Sequence, residues 1–305
     1  MSDHALLLLA ALILDAIFGE PGFLWDRLPH PAVLMGRAVG WCDARFNRGG
    51  ARRVRGVLVV AALSTAAIAT GWALAALPGG PVIEVVGAAI LLAQKSLVDH
   101  VRAVAEGLRR SLMEGRRAVS MIVGRDTASL DEAAVARAAI ESAAENLSDG
   151  VVAPAFWFLL GGLPGMIFYK ICNTADSMIG HRTERHGEFG WAAARLDDVL
   201  NWVPARITAL LIAAAFADPG ALRSAAREGP RHRSVNAGWP EAAMARGLGL
   251  ALSGPRSYAG ATTSDPVLNP DGRRDATAAD IDAAVVALWR VWSGVFLALA
   301  AIALI

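Results

Sequence analysis

Long runs of apolar residues constrain the fold of this chain more than any other feature. Residues 57–77 contain no charged side chain, and they lie between Arg52, Arg53 and Arg55 on one side and PGGP (78–81) on the other. A helix needs about 20 apolar residues to cross the hydrocarbon core of a bilayer. The run therefore predicts a membrane-spanning helix that ends in a tight turn.

Further runs predict a multi-pass protein, with apolar segments near 5–19, 57–77, 82–98, 151–171, 203–217 and 283–305. GGLPG (161–165) breaks the segment 151–171, which favours a re-entrant segment over a complete span. The Gly- and Pro-rich stretch 254–272 predicts a loop, and no strand-like alternation persists. We predict an all-α, multi-pass helical membrane protein with cytoplasmic helical loops, folded as one membrane-embedded domain (1–305).

The charge balance excludes some functions and sets an orientation. There are 29 basic and 28 acidic residues, so the chain lacks the broad basic surface that nucleic acid needs. Arginines crowd 27–55 and 102–117, and basic loops stay in the cytoplasm. We therefore expect these segments and the active site to face the cytoplasm, and the PGGP turn to lie outside. The two cysteines, Cys42 and Cys172, do not make a disulfide framework.

An acidic stripe is predicted within AAIESAAENLSDGVVAP (138–154). Glu141, Glu145 and Asp149 are spaced by four residues, with Asn146 beside them, so a helix places the acids on one face. Like charges at this spacing repel one another, and no basic residue within the stripe relieves them. A bound Mg²⁺ would do so, because it prefers carboxylate oxygens. A solvated helix face is the alternative.

Two more acidic clusters border apolar segments. Asn173 and Asp176 lie in YKICNTADS, and Asp197, Asp198 and Asn201 lie in RLDDVLNW. Ionised carboxylates at a membrane boundary need a partner, which indicates a metal or substrate site. The alternative for one of the two clusters is a helix start, where acids suit the helix dipole.

Arginines near these clusters are candidate phosphate ligands. Arg182 and Arg185 lie between the two clusters. Arg125 and Asp126 precede TASLDE (127–132), which predicts a helix start with Thr127 or Ser129 as the N-cap. Arginine binds phosphate well, and so does a helix N-terminus. The alternative for Arg182 and Arg185 is that they face anionic lipid headgroups.

The sequence lacks several familiar catalytic motifs. It contains no GxxxxGK[ST], no GxGxxG after a strand, no HExxH and no GxSxG. These absences exclude the P-loop, dinucleotide, zinc-protease and serine-hydrolase classes in their usual form.

Taken together, the motifs resemble the CobD/CbiB family, the adenosylcobinamide-phosphate synthases of cobalamin biosynthesis. The resemblance covers nearly the whole chain, and five stretches carry it: LPHPAVLMGR (28–37), IVGRDTASLDEAAVARAAIESAAENLSDGVVAPAFWF (122–158), YKICNTADSMIGHR (169–182), FGWAAARLDDVLNWVPARITA (189–209) and SVNAGWPEAAMARGLGLALSGPRSYAG (234–260).

The resemblance implies a carbon–nitrogen ligase that uses ATP and Mg²⁺. A carboxylate of the corrinoid adenosylcobyric acid would become an amide with (R)-1-aminopropan-2-ol or its O-phosphate. It also implies the bacterial inner membrane as the location, with membrane lipids as further partners. Nucleic acid is not an expected partner, and the choice of amine and a homo-oligomer are left open.

The resemblance and the clusters together suggest a role for each candidate residue. The expected catalytic residues are Glu141, Glu145, Asp176 and Asp198. The expected Mg²⁺ ligands are Glu145, Asp149, Asp197 and Asp198. The residues expected to bind substrate or phosphate are Arg125, Asp126, Asn146, Asn173, Arg182, Arg185 and Asn201.

Two other functions fit parts of the pattern. An intramembrane, Mg²⁺-dependent prenyl or alcohol-phosphate transferase also presents Asp and Asn clusters at helix ends. A transporter would place its charges at mid-span, often in two inverted halves, and the sequence shows no such symmetry.

Overall fold

Helices form most of the protein in the computed structural model, which describes residues 1–258, 261–263 and 265–305, with side chains outside 256–264. The helices are α1 Ser2–Phe18, α2 Gly22–Trp25, α3 Pro31–Phe46, α4 Arg52–Ala75, α5 Gly80–Leu91, α6 Gln94–Arg110, α7 Leu112–Val119, α8 Glu132–Leu147, α9 Ala153–Ile179, α10 Trp191–Leu200, α11 Trp202–Ala215, α12 Pro219–Glu228, α13 Gly238–Leu248 and α14 Ala278–Ala303. A π-helical turn, Ser148–Val152, joins α8 to α9, and a 3-10 turn, Gly229–Arg231, follows α12. The prediction of a helical fold is confirmed.

Short β-strands lie between α13 and α14, where the sequence predicts a loop. They are β1 Leu252–Ser253, β2 Arg256–Tyr258, β3 Ala261–Thr263 and β4 Val267–Leu268, with β1 antiparallel to β4 and β2 antiparallel to β3. Strand β1 precedes the predicted loop 254–272, and the loop prediction is wrong for the residues of β2, β3 and β4, because strands of two or three residues are too short to leave an alternating pattern. Ala259, Gly260 and Ser264 of the predicted loop lie outside the described residues.

The described chain divides into two compact units. The first unit comprises Met1–Ala93, Ala153–Asn201 and Leu299–Ile305, and the second comprises Gln94–Val152 and Trp202–Ala298. Each unit thus combines segments that are distant in the sequence. The single membrane-embedded domain stays a prediction.

Within the described residues, four helical stretches are long and apolar enough to span a membrane. They are Arg52–Ala75, Gly80–Arg110, Glu132–Ile179 and Ala278–Ala303. A fifth span results if α10 and α11, which are bent by 45° at their junction, cross together. The prediction of a multi-pass helical membrane protein is confirmed.

The predicted segment 82–98 is divided between two helices. Helix α5 ends at Leu91, and Leu92 has an extended ψ of 156° before α6 begins at Gln94. The apolar run continues through this break, so hydropathy alone does not reveal it.

Helix α9 folds back on itself at the predicted GGLPG break. Gly162 has φ 60° and ψ −157°, a conformation that is essentially restricted to glycine. The rings of Trp157 and Phe168 lie 6.2 Å apart, although a straight helix would separate these residues by about 16 Å. The chain therefore reverses at Gly162, which is the geometry that a re-entrant segment needs. We call residues 153–161 the first arm of α9 and residues 163–179 the second arm.

Small residues allow close packing around the second arm of α9. A Cβ atom at Gly71 of α4 would lie 2.4 Å from Pro164, and Ser64 Oγ lies 3.6 Å from Cys172 Sγ. Helix α4 thus runs closely along this arm, as small residues permit in membrane helices.

Candidate functional site

Three aspartates lie at the carboxyl ends of two helices in the first unit. Asp176 is in the last turn of α9, and Asp197 and Asp198 are in the last turn of α10. The alternative interpretation of Asp197 and Asp198 as a helix start is therefore wrong. A helix C-terminus carries partial negative charge, so carboxylates there strengthen the negative potential and favour a bound cation.

Asp197 lies at the centre of this cluster. It is 9% exposed, and Asn173 Nδ2 donates a hydrogen bond of 3.2 Å to its Oδ1. The side chain of Asn201 also lies beside it, and the charges of Asp176 and Asp198 act on it. The structure thus brings together the two acidic clusters that the sequence separates. We call Asn173, Asp176, Asp197, Asp198 and Asn201 the aspartate cluster.

Tyr169 contacts the aspartate cluster through Asn201 and is missing from the predicted site. Its hydroxyl donates a 2.9 Å hydrogen bond to Asn201 Oδ1, and the ring is fully buried. Tyr169 is four residues before Asn173 and thus on the same face of α9. That spacing is the sequence signal that could have identified it.

The end of α10 is fixed by two further contacts. Trp157, on the first arm of α9, donates a 3.1 Å hydrogen bond from Nε1 to the carbonyl oxygen of Leu200. Arg195 forms an ion pair of 2.7 Å with Asp198 three residues later on α10. Asp198 is the more exposed of the two neighbouring acids, because Asp197 faces the interior.

Arg185 contacts a carboxylate that the sequence did not single out. It lies 2.5 Å from Asp43, and His186 Nε2 lies 3.4 Å from the same side chain. Burial raises the pKa of Asp43, but hydrogen bonds from Asn47 and Arg185 outweigh it and hold the pKa below its usual value. The predicted phosphate-binding role of Arg185 stays a prediction, and Arg182 is exposed in the same loop.

In the second unit, Arg125 pairs with Glu141. The two side chains lie 3.0 Å apart and are 11% and 7% exposed. The Ser253 amide also donates a 2.7 Å hydrogen bond to Glu141. The guanidinium of Arg125, which lies outside the stripe, therefore neutralises the charge of Glu141. The predicted N-cap at Thr127 or Ser129 is wrong, because Asp131 caps α8 by accepting a 2.7 Å hydrogen bond from the Ala134 amide.

The other members of the predicted acidic stripe differ in exposure and in local structure. Glu145 and Asn146 are exposed on α8, whereas Asp149 is half-buried in the π-helical turn. That these acids bind a metal together stays a prediction. Asp126 is exposed in the loop before α8.

The donor chemistry of the aspartate cluster fits Mg²⁺. Among the residues with described side chains, no three His, Cys, Asp or Glu residues are placed to hold a metal ion alone. Mg²⁺ does not need such a set, because it commonly binds through one or two carboxylates together with substrate phosphates and water. Asp197 with a neighbouring aspartate meets that need.

Comparison with known proteins identifies the family. A family model described as CobD/Cbib protein matches residues 8–288. The chain belongs to the CobD/CbiB family. Relatives named "Cobalamin biosynthesis protein CobD" include one from Brucella suis biovar 1 that is 51% identical, with 96% of this chain and 95% of the relative covered. One from Sinorhizobium is 51% identical, with 99% of this chain and 100% of the relative covered. One from Rhodobacter capsulatus is 47% identical, with 89% of this chain and 90% of the relative covered.

The CobD/CbiB match encloses the aspartate cluster and the Arg125–Glu141 pair. It places the chain among the membrane proteins of cobalamin biosynthesis. No solved structure matches the chain.

Proposed function

We propose that this CobD/CbiB protein catalyses ATP-dependent amide formation between adenosylcobyric acid and (R)-1-aminopropan-2-ol or its O-phosphate. The product would be adenosylcobinamide or its phosphate. Membership in the family supports the pathway, and the aspartate cluster supports the chemistry.

The observation that carries this proposal is the position of Asp176, Asp197 and Asp198 at two helix C-termini. Helix dipoles disfavour carboxylates there, although Arg195 offsets part of this cost at Asp198. Such a site would favour a bound cation. In the proposed reaction, both Mg²⁺ and the ammonium group of the amine are cations.

The reaction needs activation because a carboxylate is a poor acyl donor. An oxygen of the corrinoid carboxylate would take the γ-phosphoryl group of ATP, and ADP would leave. The amine nitrogen would then attack the acyl carbon, and phosphate would depart with the electrons of the C–O bond. Phosphoryl transfer depends on positioning and charge neutralisation more than on covalent chemistry from the protein, which agrees with the absence of a nucleophile motif.

The aspartates would control the proton of the amine. An alkylammonium group must lose a proton before it attacks, and Asp176 would accept it. Asp197 would hold the amine or the metal in place, because Asn173 fixes its Oδ1. Tyr169 would keep Asn201 oriented through the buried 2.9 Å hydrogen bond.

Charge neutralisation would come from the arginines and from Mg²⁺. Mg²⁺, when bound, supplies positive charge to the transferring phosphoryl group, and Asp197 and Asp198 would hold it. Arg182 lies in the loop between α9 and α10, in the same unit as these acids, so we assign it to the phosphates. Metal binding by Glu145 and Asp149 and phosphate binding by Arg125 remain proposals.

We also propose that the protein resides in the bacterial inner membrane with the aspartate cluster facing the cytoplasm. Arg52, Arg53 and Arg55 at the start of α4 support this orientation, because positively charged flanks stay inside. ATP is cytoplasmic, so the orientation would give the site its co-substrate.

A turnover assay tests the proposal. Detergent-purified protein would receive adenosylcobyric acid, ATP–Mg²⁺ and each candidate amine, and the corrinoid product would be identified by mass. We expect product with the mass of the amide and stoichiometric ADP release. Absence of an amide with both amines would refute the ligase proposal, and diphosphate release from a lipid donor would favour the transferase instead.

A further inference from the structure

An apolar cavity of about 670 Å³ lies within the first unit, separate from the aspartate cluster. It is bordered by α3, α4, α5 and the second arm of α9. Its lining is almost wholly aliphatic, with Leu34, Leu63, Leu74, Val82, Leu91 and Ile171 as representative contacts.

The depth of the cavity corresponds to half a bilayer. It extends along α4 from Leu63 to Leu74, a rise of about 16 Å, and the hydrocarbon core of a bilayer is about 30 Å thick. One end lies beside the turn between α4 and α5, and Val82 at the start of α5 lines that end. The other end lies near the middle of the α4 span.

Apolar residues also line the inner end. Leu63 of α4 and Ile90 and Leu91 of α5 border the cavity there. The hydrocarbon lining therefore continues from the α4–α5 turn to about the middle of the α4 span.

The cavity is open along α4. Ala66 and Thr70 line it and are exposed, so a ligand can enter sideways between the helices. The amino alcohol, ATP and the amide-rich corrinoid are polar, whereas the lining offers almost no polar group. A hydrocarbon chain matches both the lining and the lateral entrance.

We propose that this cavity binds an acyl chain of a phospholipid from the leaflet on the side of the α4–α5 turn. The headgroup would lie at the turn, and the chain would extend inward to the level of Leu63 on α4. A lipid chain in the bilayer is already in an apolar medium, so its retention depends on close packing in the cavity. A side chain that fills the cavity should therefore displace it.

Native mass spectrometry of the full chain in detergent, with dioleoyl phosphatidylglycerol as the probe, tests this site. Ala66→Phe fills the cavity, and Ala69→Phe is the matched control, because Ala69 is exposed on the same helix and does not line the cavity. We expect one retained phospholipid in wild type and in Ala69→Phe, and at least about tenfold lower occupancy in Ala66→Phe, a loss of the size expected when packing is removed.

Thr70→Phe, which fills the cavity one turn further along, should reproduce the loss, and circular dichroism would verify that each variant is folded. If Ala66→Phe does not fold, Thr70→Phe alone decides. Equal lipid retention by the filled variants and the control would overturn the proposal. So would a bound detergent molecule in place of lipid in wild type, or dimerisation through this face.

Discussion

Two buried carboxylates in this protein have opposite surroundings. Glu141 in the second unit is paired with Arg125 and accepts a backbone amide, so the protein itself neutralises its charge. Asp197 in the first unit is surrounded by the amide side chains of Asn173 and Asn201 and by two further acids. Both residues are candidates from the sequence, Glu141 as a catalytic residue and Asp197 as a Mg²⁺ ligand.

The difference separates a structural carboxylate from one that is kept for a ligand. A buried charge with a matched partner holds two segments together, and removing either partner destabilises the fold. A buried charge among other acids is a cost that a bound cation relieves. We therefore expect mutations of Glu141 to act on stability and mutations of Asp197 to act on catalysis.

The largest effect should follow from Asp197→Asn. The substitution keeps shape but removes the charge that holds Mg²⁺ or ammonium, so we expect at least about a hundredfold loss of ligation rate with little change in thermal stability. The turnover assay and thermal unfolding in detergent measure the two quantities. Asp271→Asn, on an exposed loop, is the matched control. Near-normal turnover in Asp197→Asn would contradict the proposal that Asp197 acts in catalysis and Glu141 in stability.

Glu141→Gln should show the reverse pattern. It leaves Arg125 mostly buried without its counter-charge, and we expect a loss of about 3 kcal/mol in unfolding free energy. Thermal unfolding measures it, and a double replacement of Arg125 and Glu141 by Met should recover part of the loss. Lost turnover at unchanged stability would instead assign Glu141 to catalysis.

Gly162→Ala should destabilise the fold of the first unit by about 1–3 kcal/mol. Alanine is strained at φ 60° and ψ −157°, and its Cβ would lie 3.1 Å from Glu84 and His4. Gly161→Ala is the control, because no atom lies within 4 Å of a Cβ there. Equal unfolding temperatures for the two variants would argue against the reversal at Gly162.

The smallest effect concerns Asp43 and pH. The pKa of Asp43 is lowered in the folded protein, so its ionised form stabilises the fold. This contribution is fully present when the pH is above the ordinary aspartate pKa of about 4. It is lost as the pH falls through the lowered pKa of the folded state. Arg185 is exposed, so we expect under about 1 kcal/mol. Asp43→Asn should unfold at a lower temperature than wild type at pH 7 and at a similar temperature near pH 3. A difference independent of pH would contradict this origin.

Sequence reasoning located the acids but assigned their surroundings incorrectly. The spacing of four in the 138–154 stretch indicated one acidic face that needs a bound cation, yet Arg125 already pairs with Glu141, and Asp149 lies in a π-helical turn that the sequence did not predict. Asp43 escaped notice because its partner Arg185 lies 142 residues away. Tyr169 was within reach of sequence reasoning, since it precedes Asn173 by one helical turn.

The sequence alone determined the helical membrane fold and the break at GGLPG, because the length of apolar runs and the effects of glycine and proline are local. It also determined the family, because the motifs are read directly from the order of residues. Only the tertiary structure decided which acids meet. Asn173 and Asp197 come together because α9 and α10 pack side by side, and a contact between separate helices leaves no periodic signal along the chain.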